Sequence, residues 1–96
     1  MNRYEPYEQN IISFIGEINY TFINPLDGRV AIYAKTLKKF ELELSEQKQF
    51  VRVNKSVIVN LLFVNKINKD VIELCNGTIV KVSRRRKKRL YELVYN

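Results

Sequence analysis

The sequence predicts a mainly β fold: an elongated antiparallel β-sheet with one short central helix and a short C-terminal helix. Three observations lead there. Short runs rich in β-branched and aromatic residues recur between turn signals along the chain. Asn76-Gly77 stands between two apolar segments, the strongest short-range signal for a hairpin. After that hairpin the chain runs through Ser83, a good N-cap, into a cationic stretch that ends in Leu90, Leu93 and Val94.

The elements follow in order. Residues 1–10 read as a tail or linker remnant, with Tyr4 and Tyr7 able to pin it to the body, and residues 11–96 as the folded domain. Ile11 to Ile15 is a strand ending at Gly16, and Ile18 to Ile23 a second one. Asn24-Pro25-Leu26-Asp27-Gly28 is a turn, because proline fixes one φ angle and glycine permits a positive one. Arg29 to Ala34 alternates as a third strand, with Val30, Ile32 and Ala34 on one face. From Thr36 to Leu44 two patterns compete. Phe40, Leu42 and Leu44 alternate as a strand would, whereas Leu37, Phe40 and Leu44 fit a helical stripe. Thr36 as N-cap and good helix formers after it favour a short helix ending near Ser45. Phe50 to Asn54 is a brief extended segment, Ser56 to Asn60 has an apolar centre with polar ends, and Leu61 to Ile67 continues apolar. Val71 to Cys75 is another strand, and a two-residue Asn76-Gly77 turn would pair Leu74 with Ile79 and Glu73 with Val80. The last helix runs from Arg84 to about Val94, with Arg86, Leu90, Leu93 and Val94 on one side, where the leucines and valine would dock it.

Ninety-six residues suit one domain with one modest core and are too few for two. A single cysteine, Cys75, excludes an internal disulfide and fits a reducing cytoplasm; it reads as a small packed side chain. No histidine is present, so the usual metal ligands and the commonest general base are missing. No nucleophile elbow, phosphate loop or glycine fingerprint occurs, and the expectation is a non-enzyme without metal or cofactor. No apolar run approaches the roughly 20 residues that span a bilayer, and residues 1–10 lack the apolar core of a signal peptide.

Charge is the strongest functional signal. The chain carries 17 Lys and Arg against 10 Asp and Glu. Seven of those cations fall between Lys81 and Arg89, and without them residues 1–80 have a net charge of only +1. Arg84, Arg85 and Arg86 occupy the first turn of the last helix, where exposed cations oppose the helix dipole at roughly 0.3–1 kcal/mol each. An anion such as phosphate at that helix end reverses the sign, because free N–H groups also point there. The pattern therefore points to a polyanionic partner. Charge alone does not separate DNA from RNA or lipid. DNA would be gripped by Lys and Arg on phosphates and read by Arg, Lys or Asn on base edges, whereas RNA more often needs an exposed aromatic sheet face.

Several residues carry a family resemblance. Phe50-Val51-Arg52-Val53-Asn54-Lys55-Ser56-Val57-Ile58-Val59-Asn60, then Asn76-Gly77, Val82-Ser83-Arg84-Arg85 and Leu90, resemble the LytTR-type DNA-binding domain. That family's pattern runs approximately F-x-R-x-H-x-S-[FY]-[IV]-V-N, then a hairpin with N-G, then V-S-R-R before a final helix. Gly16 to Tyr20 is similar to the short loop before its second strand, and Thr36-Leu37 to the start of its first helix. The likeness covers about residues 11–94. It departs at Asn54, where histidine is usual, and at Val57, where an aromatic is common.

The resemblance implies a bacterial transcription regulator whose loops and final helix start enter successive major grooves of repeated half-sites. It places base-edge contacts at Asn19 or Tyr20, at Lys55 and at Arg85, and phosphate contacts at Thr21, Thr36, Ser56 and Lys88. Arg84 and Arg89 of the same helix are expected to join the phosphate set. Arg52 is read as bracing the fold, and Asn60 as capping or tying a strand end. Family proteins often carry a receiver domain that controls dimerisation. Such a domain is absent from this sequence, so the expectation is either a short natural regulator or an excised output domain, self-associating on tandem half-sites. Two other readings stay open at this point: an RNA- or ribosome-associated basic β domain, and a protein-interaction module with a basic tail.

Overall fold

A computed structural model describes residues 10–95, and the expectations for Tyr4 and Tyr7 lie outside them. The chain forms β1 (Ile11–Gly16), β2 (Thr21–Pro25), β3 (Ala31–Tyr33), α1 (Leu37–Glu43), β4 (Phe50–Asn54) and β5 (Val57–Asn60). A 3-10 turn (Leu61–Phe63), β6 (Val64–Asn68), β7 (Val71–Leu74), β8 (Ile79–Lys81) and α2 (Arg84–Tyr95) complete it. Two antiparallel sheets result, ordered β3-β2-β1-β5-β4 and β6-β7-β8. The body measures 32 × 24 × 24 Å, and its fold is the mainly β, two-helix arrangement expected.

The larger sheet is buried on both faces where β1 and β5 run. Successive strand residues point to opposite sides, so in β5 Ile58 enters one cluster and Val59 another. On one side α1 lays Leu37, Phe40 and Leu44 over Phe14, Ile23 and Ile58. The Phe14 ring packs tilted at 5.1 Å from Phe40 and edge-on at 5.6 Å from Phe50, with Tyr33 edge-on at 5.9 Å from Phe40. On the other side Ile12, Val51, Val53 and Val59 meet Ile72, Leu74 and Val80 of the smaller sheet and Val82 just after it, and Leu90 of α2 closes the cluster. The expectation of a single core is thus corrected: one shared sheet lets a short chain hold two thin apolar layers.

Other corrections have local causes. The second strand begins at Thr21 rather than Ile18, because the Glu17 N–H bonds to the Tyr20 carbonyl at 2.8 Å and closes a turn that takes in Ile18. The third strand shrinks to Ala31–Tyr33, and its Val30-Ile32-Ala34 face points to solvent. Arg29 and Val30 are held in the turn by Asp27 Oδ1 and the Gly28 carbonyl, while Ala31 and Tyr33 turn inward. The hairpin after β7 has a three-residue loop. The Gly77 N–H bonds to the Leu74 carbonyl, Leu74 pairs with Thr78, and Glu73 faces Ile79. Gly77 alone supplies the positive φ, at 87°, so Asn76 needs none, as in turns that end in a glycine bulge. Cys75 lies exposed in that loop instead of packed. On α2, Tyr91 takes the flanking position expected of Val94, which is exposed.

Gly16 runs under α1: a Cβ there would lie 2.9 Å from the Leu37 Cβ. Asn60, fully buried, donates from its side chain to the Ile11 carbonyl at 2.8 Å and accepts from the Leu62 N–H at 2.9 Å, so it both ties and caps as expected.

Leu90 is the one residue of α2 that is fully buried. Leu90→Ala is therefore expected to cost about 2–5 kcal/mol and to undock the helix, read as a lowered urea midpoint with loss of α2 amide protection.

Candidate nucleic-acid interface

The antiparallel order brings one end of the larger sheet together. There β1 ends at Gly16, β2 begins at Thr21, β3 ends at Tyr33, β4 ends at Asn54 and β5 begins at Val57. Backbone and side-chain hydrogen bonds then join the loops. The Gly16 N–H donates to the Ser56 carbonyl at 2.7 Å, fastening the Glu17–Tyr20 loop to the Lys55 loop. Asn54 Nδ2 donates to the Lys81 carbonyl at 2.6 Å, fastening the Lys55 loop to the strand that leads into α2. The Ser83 N–H donates to the Val53 carbonyl at 2.9 Å and places the first turn of α2 against the end of β4.

Arg52 and Asn54 shape the Lys55 loop from within. Arg52 Nη2 donates to the Lys55 carbonyl at 2.6 Å and Nε to the Asn54 carbonyl at 3.2 Å, while Nη1 meets Glu41 Oε1 at 2.9 Å. The Asn54 Oδ1 accepts the Ser56 N–H at 2.7 Å, a local turn that short amide side chains favour. Lys55 is left exposed at the tip. Arg52 thus braces the fold, as read from the sequence. The position where the family usually has histidine is filled by an amide that serves two loops at once.

These contacts line an open groove with Lys55, Lys81, Arg84, Arg85, Arg86 and Lys87 on its walls, and with Lys38 of α1 at its rim. Two carboxylates also face it. Glu41 Oε2 lies 3.7 Å from Arg86, and Asp70 pairs with Lys87. The Lys87 ammonium, first by hydrogen bond and then by charge, holds the exposed Asp70 carboxyl below the usual carboxylate range, and Lys81 and Lys69 add to this. The β6–β7 turn that carries Asp70 is itself docked, since Tyr91 donates to the Lys69 carbonyl at 2.7 Å and the Val82 N–H to the Asp70 carbonyl at 2.7 Å. Among the described residues, no carboxylate lies within ion-pair distance of Arg84, Arg85, Lys88 or Arg89, and all four are exposed.

Residues 8–94 match the LytTR family, whose description is the LytTr DNA-binding domain. The chain belongs to this family. The LytTR domain is a DNA-binding domain, so the groove is part of a DNA-binding protein. Among curated proteins no relative matches. A solved structure described as the LytTr DNA-binding domain of a methyl-accepting/DNA response regulator from Bacillus cereus is similar in fold. Its TM-score is 0.80 at 22% identity, over 92% of this chain and 84% of that one. No helix among the described residues is long and apolar enough to cross a membrane.

On this LytTR domain Asn19, Tyr20, Lys55, Arg84, Arg85, Lys88 and Arg89 are exposed, and Lys55, Ser56, Arg84 and Arg85 share the groove. Thr36 is exposed at the start of α1, where its hydroxyl accepts the Lys39 N–H at 3.3 Å. Thr21 is the correction. Its side chain is fully buried and its hydroxyl donates to the Lys35 carbonyl at 2.7 Å, so it anchors the chain ahead of α1 instead of meeting a phosphate. Sequence reasoning missed Lys38, Glu41 and Asp70, which reach the groove from distant elements and carry no local signal. Asn54 did carry one, in the Asn-Lys-Ser order at a strand end.

Arg52 makes three directed contacts from a planar fork that an ammonium cannot reproduce. Arg52→Lys is expected to cost about 1.5–3 kcal/mol in urea unfolding and to speed amide exchange at Lys55 and Ser56.

Proposed function

We propose that this LytTR domain binds double-stranded DNA sequence-specifically in bacterial transcription regulation, acting in the cytoplasm. The Glu17–Tyr20 loop, the Lys55 loop and the first turn of α2 enter the major grooves of repeated half-sites. The supporting observation is the pair of hydrogen bonds, Gly16 to Ser56 and Asn54 to Lys81, that hold these three segments in one edge. A base reader works only if its position relative to the phosphate contacts is fixed. Here the segments share a rigid support.

In this reading Arg85 and Lys55 meet base edges, with Asn19 or Tyr20 from the first loop. Arginine donates two parallel bonds to the O6 and N7 of guanine, and asparagine pairs in the same manner with adenine. Thr36, Ser56, Arg84, Lys88 and Arg89 meet phosphates. Two copies occupy tandem half-sites and associate weakly or not at all off DNA. The response-regulator origin of the similar Bacillus cereus domain supports a role as an output domain under an upstream signal.

The aromatic side chains argue against the RNA reading. Phe14 and Phe40 are buried, and Tyr33 and Phe50 pack against them. Among the described residues the well-exposed aromatics are Tyr20 in a loop and Tyr95 at the end of α2, which form no stacking platform on a sheet.

Selection of bound duplexes from a random pool is expected to enrich a repeated motif and to give the half-site spacing. On that motif Arg85→Ala should cost about 1–3 kcal/mol and lower the ratio of specific to random-duplex affinity, whereas Lys88→Ala should weaken binding to all sequences alike. An unchanged ratio in Arg85→Ala at fixed salt would remove the base-reading role.

A further inference from the structure

The basic helix start is not uniformly basic. Its six consecutive cations divide by position around the helix. Arg84, Arg85, Lys88 and Arg89 are exposed, and Arg86 and Lys87 between them are half-buried. Each of the two inner cations meets a carboxylate from a different part of the chain. Glu41 comes from α1 and reaches Arg86 with one oxygen at 3.7 Å while the other holds Arg52. Asp70 comes from the β6–β7 turn and holds Lys87. Both carboxylates line the groove that carries Lys55, Arg84 and Arg85.

Stability gives little reason for this arrangement. Ion pairs this open to water contribute about 0–1 kcal/mol, and Glu41 and Asp70 have side chains 40% and 56% exposed. A carboxylate in a phosphate-binding groove also repels the ligand. It has a use if attraction to every sequence has to be limited. Affinity for random duplex is almost wholly counterion release, with a salt slope near −0.9 for each phosphate neutralised. A cation already paired within the protein releases no such ion. A carboxylate beside it also marks a place where the DNA backbone cannot rest, which restricts the registers open to the domain.

We infer that Glu41 and Asp70 are specificity-determining residues of the DNA-binding surface. By occupying Arg86 and Lys87 they withhold two cations from phosphate, so that random-sequence affinity stays low while Arg84, Arg85, Lys88 and Arg89 do the binding. This rests on the DNA-binding reading of the groove and extends it to two anionic residues.

The test measures affinity for random-sequence duplex and for the selected motif across a salt series, using E41Q, D70N, E41Q/R86Q, D70N/K87Q and E92Q. Glu92 lies on α2 and pairs with no cation among the described residues, so E92Q makes the same charge change without freeing a partner. E41Q and D70N are each expected to raise random-duplex affinity severalfold, to make the salt slope about 0.9 more negative and to lower the specificity ratio. The double variants return to the wild-type slope, and E92Q leaves the slope unchanged. D70N removes a contact of an exposed turn, so it reports even where E41Q disturbs Arg52. Wild-type slopes in both E41Q and D70N, or an equal steepening in E92Q, overturn the inference while DNA binding by the unchanged chain stands. If the unchanged chain binds no duplex, the DNA reading falls, and the inference with it.

Discussion

The arrangement rests on the two-sided burial of β5. Ile58 and Val59 are adjacent residues, and both are almost completely excluded from water, one against α1 and the other against the smaller sheet. A slip of one residue in this strand would exchange the two faces and place each side chain in the wrong layer. Register in β5 therefore fixes the position of Val57 and of the loop before it. Neighbouring strands inherit that register through Ile15 opposite Val57 and Phe14 opposite Ile58. The precision of the loop edge comes from apolar packing well behind it.

Polar groups then convert a set of strand ends into a surface. Arg52 and Asn54 point out of β4, where burial is partial, and satisfy carbonyls and N–H groups that tight loops leave without ladder partners. The same side chains carry the connection to α2. The helix gains its docking from Leu90 and its orientation from Ser83, Tyr91 and the Asp70 turn. Its unfavourable crowding of cations is held by this external support, since the first turn contains no acidic residue.

Much of this was legible in the sequence, because its main signals are short-range. The strand from Ile11 to Gly16, the segment around Val57 to Asn60, the Thr36-capped helix and the helix after Ser83 each announce themselves by periodicity or by a cap. What was not legible depends on closure. Whether Asn76-Gly77 makes a two- or three-residue loop is decided by Leu74 pairing with Thr78, a contact that simple apolar pattern does not encode. The inward face of β3 is set by the place of Tyr33 over Phe40. Among the site residues, exposure of Arg85 and Lys55 followed from charge and loop position, and the burial of Thr21 did not, since it depends on the Lys35 carbonyl 14 residues away. The bond from Asn54 to Lys81 spans 27 residues and could not be read from either end.

Gly16 has a mechanical consequence. Its missing side chain lets Leu37 sit directly on the backbone at the point where β1 gives way to the loop of Asn19 and Tyr20. The same glycine N–H is bonded to Ser56. Helix α1, the first loop and the second loop thus meet at one residue. A close-packed joint of this kind transmits displacement rather than absorbing it. A side chain at position 16 would therefore disturb the seat of α1 and the start of both loops together.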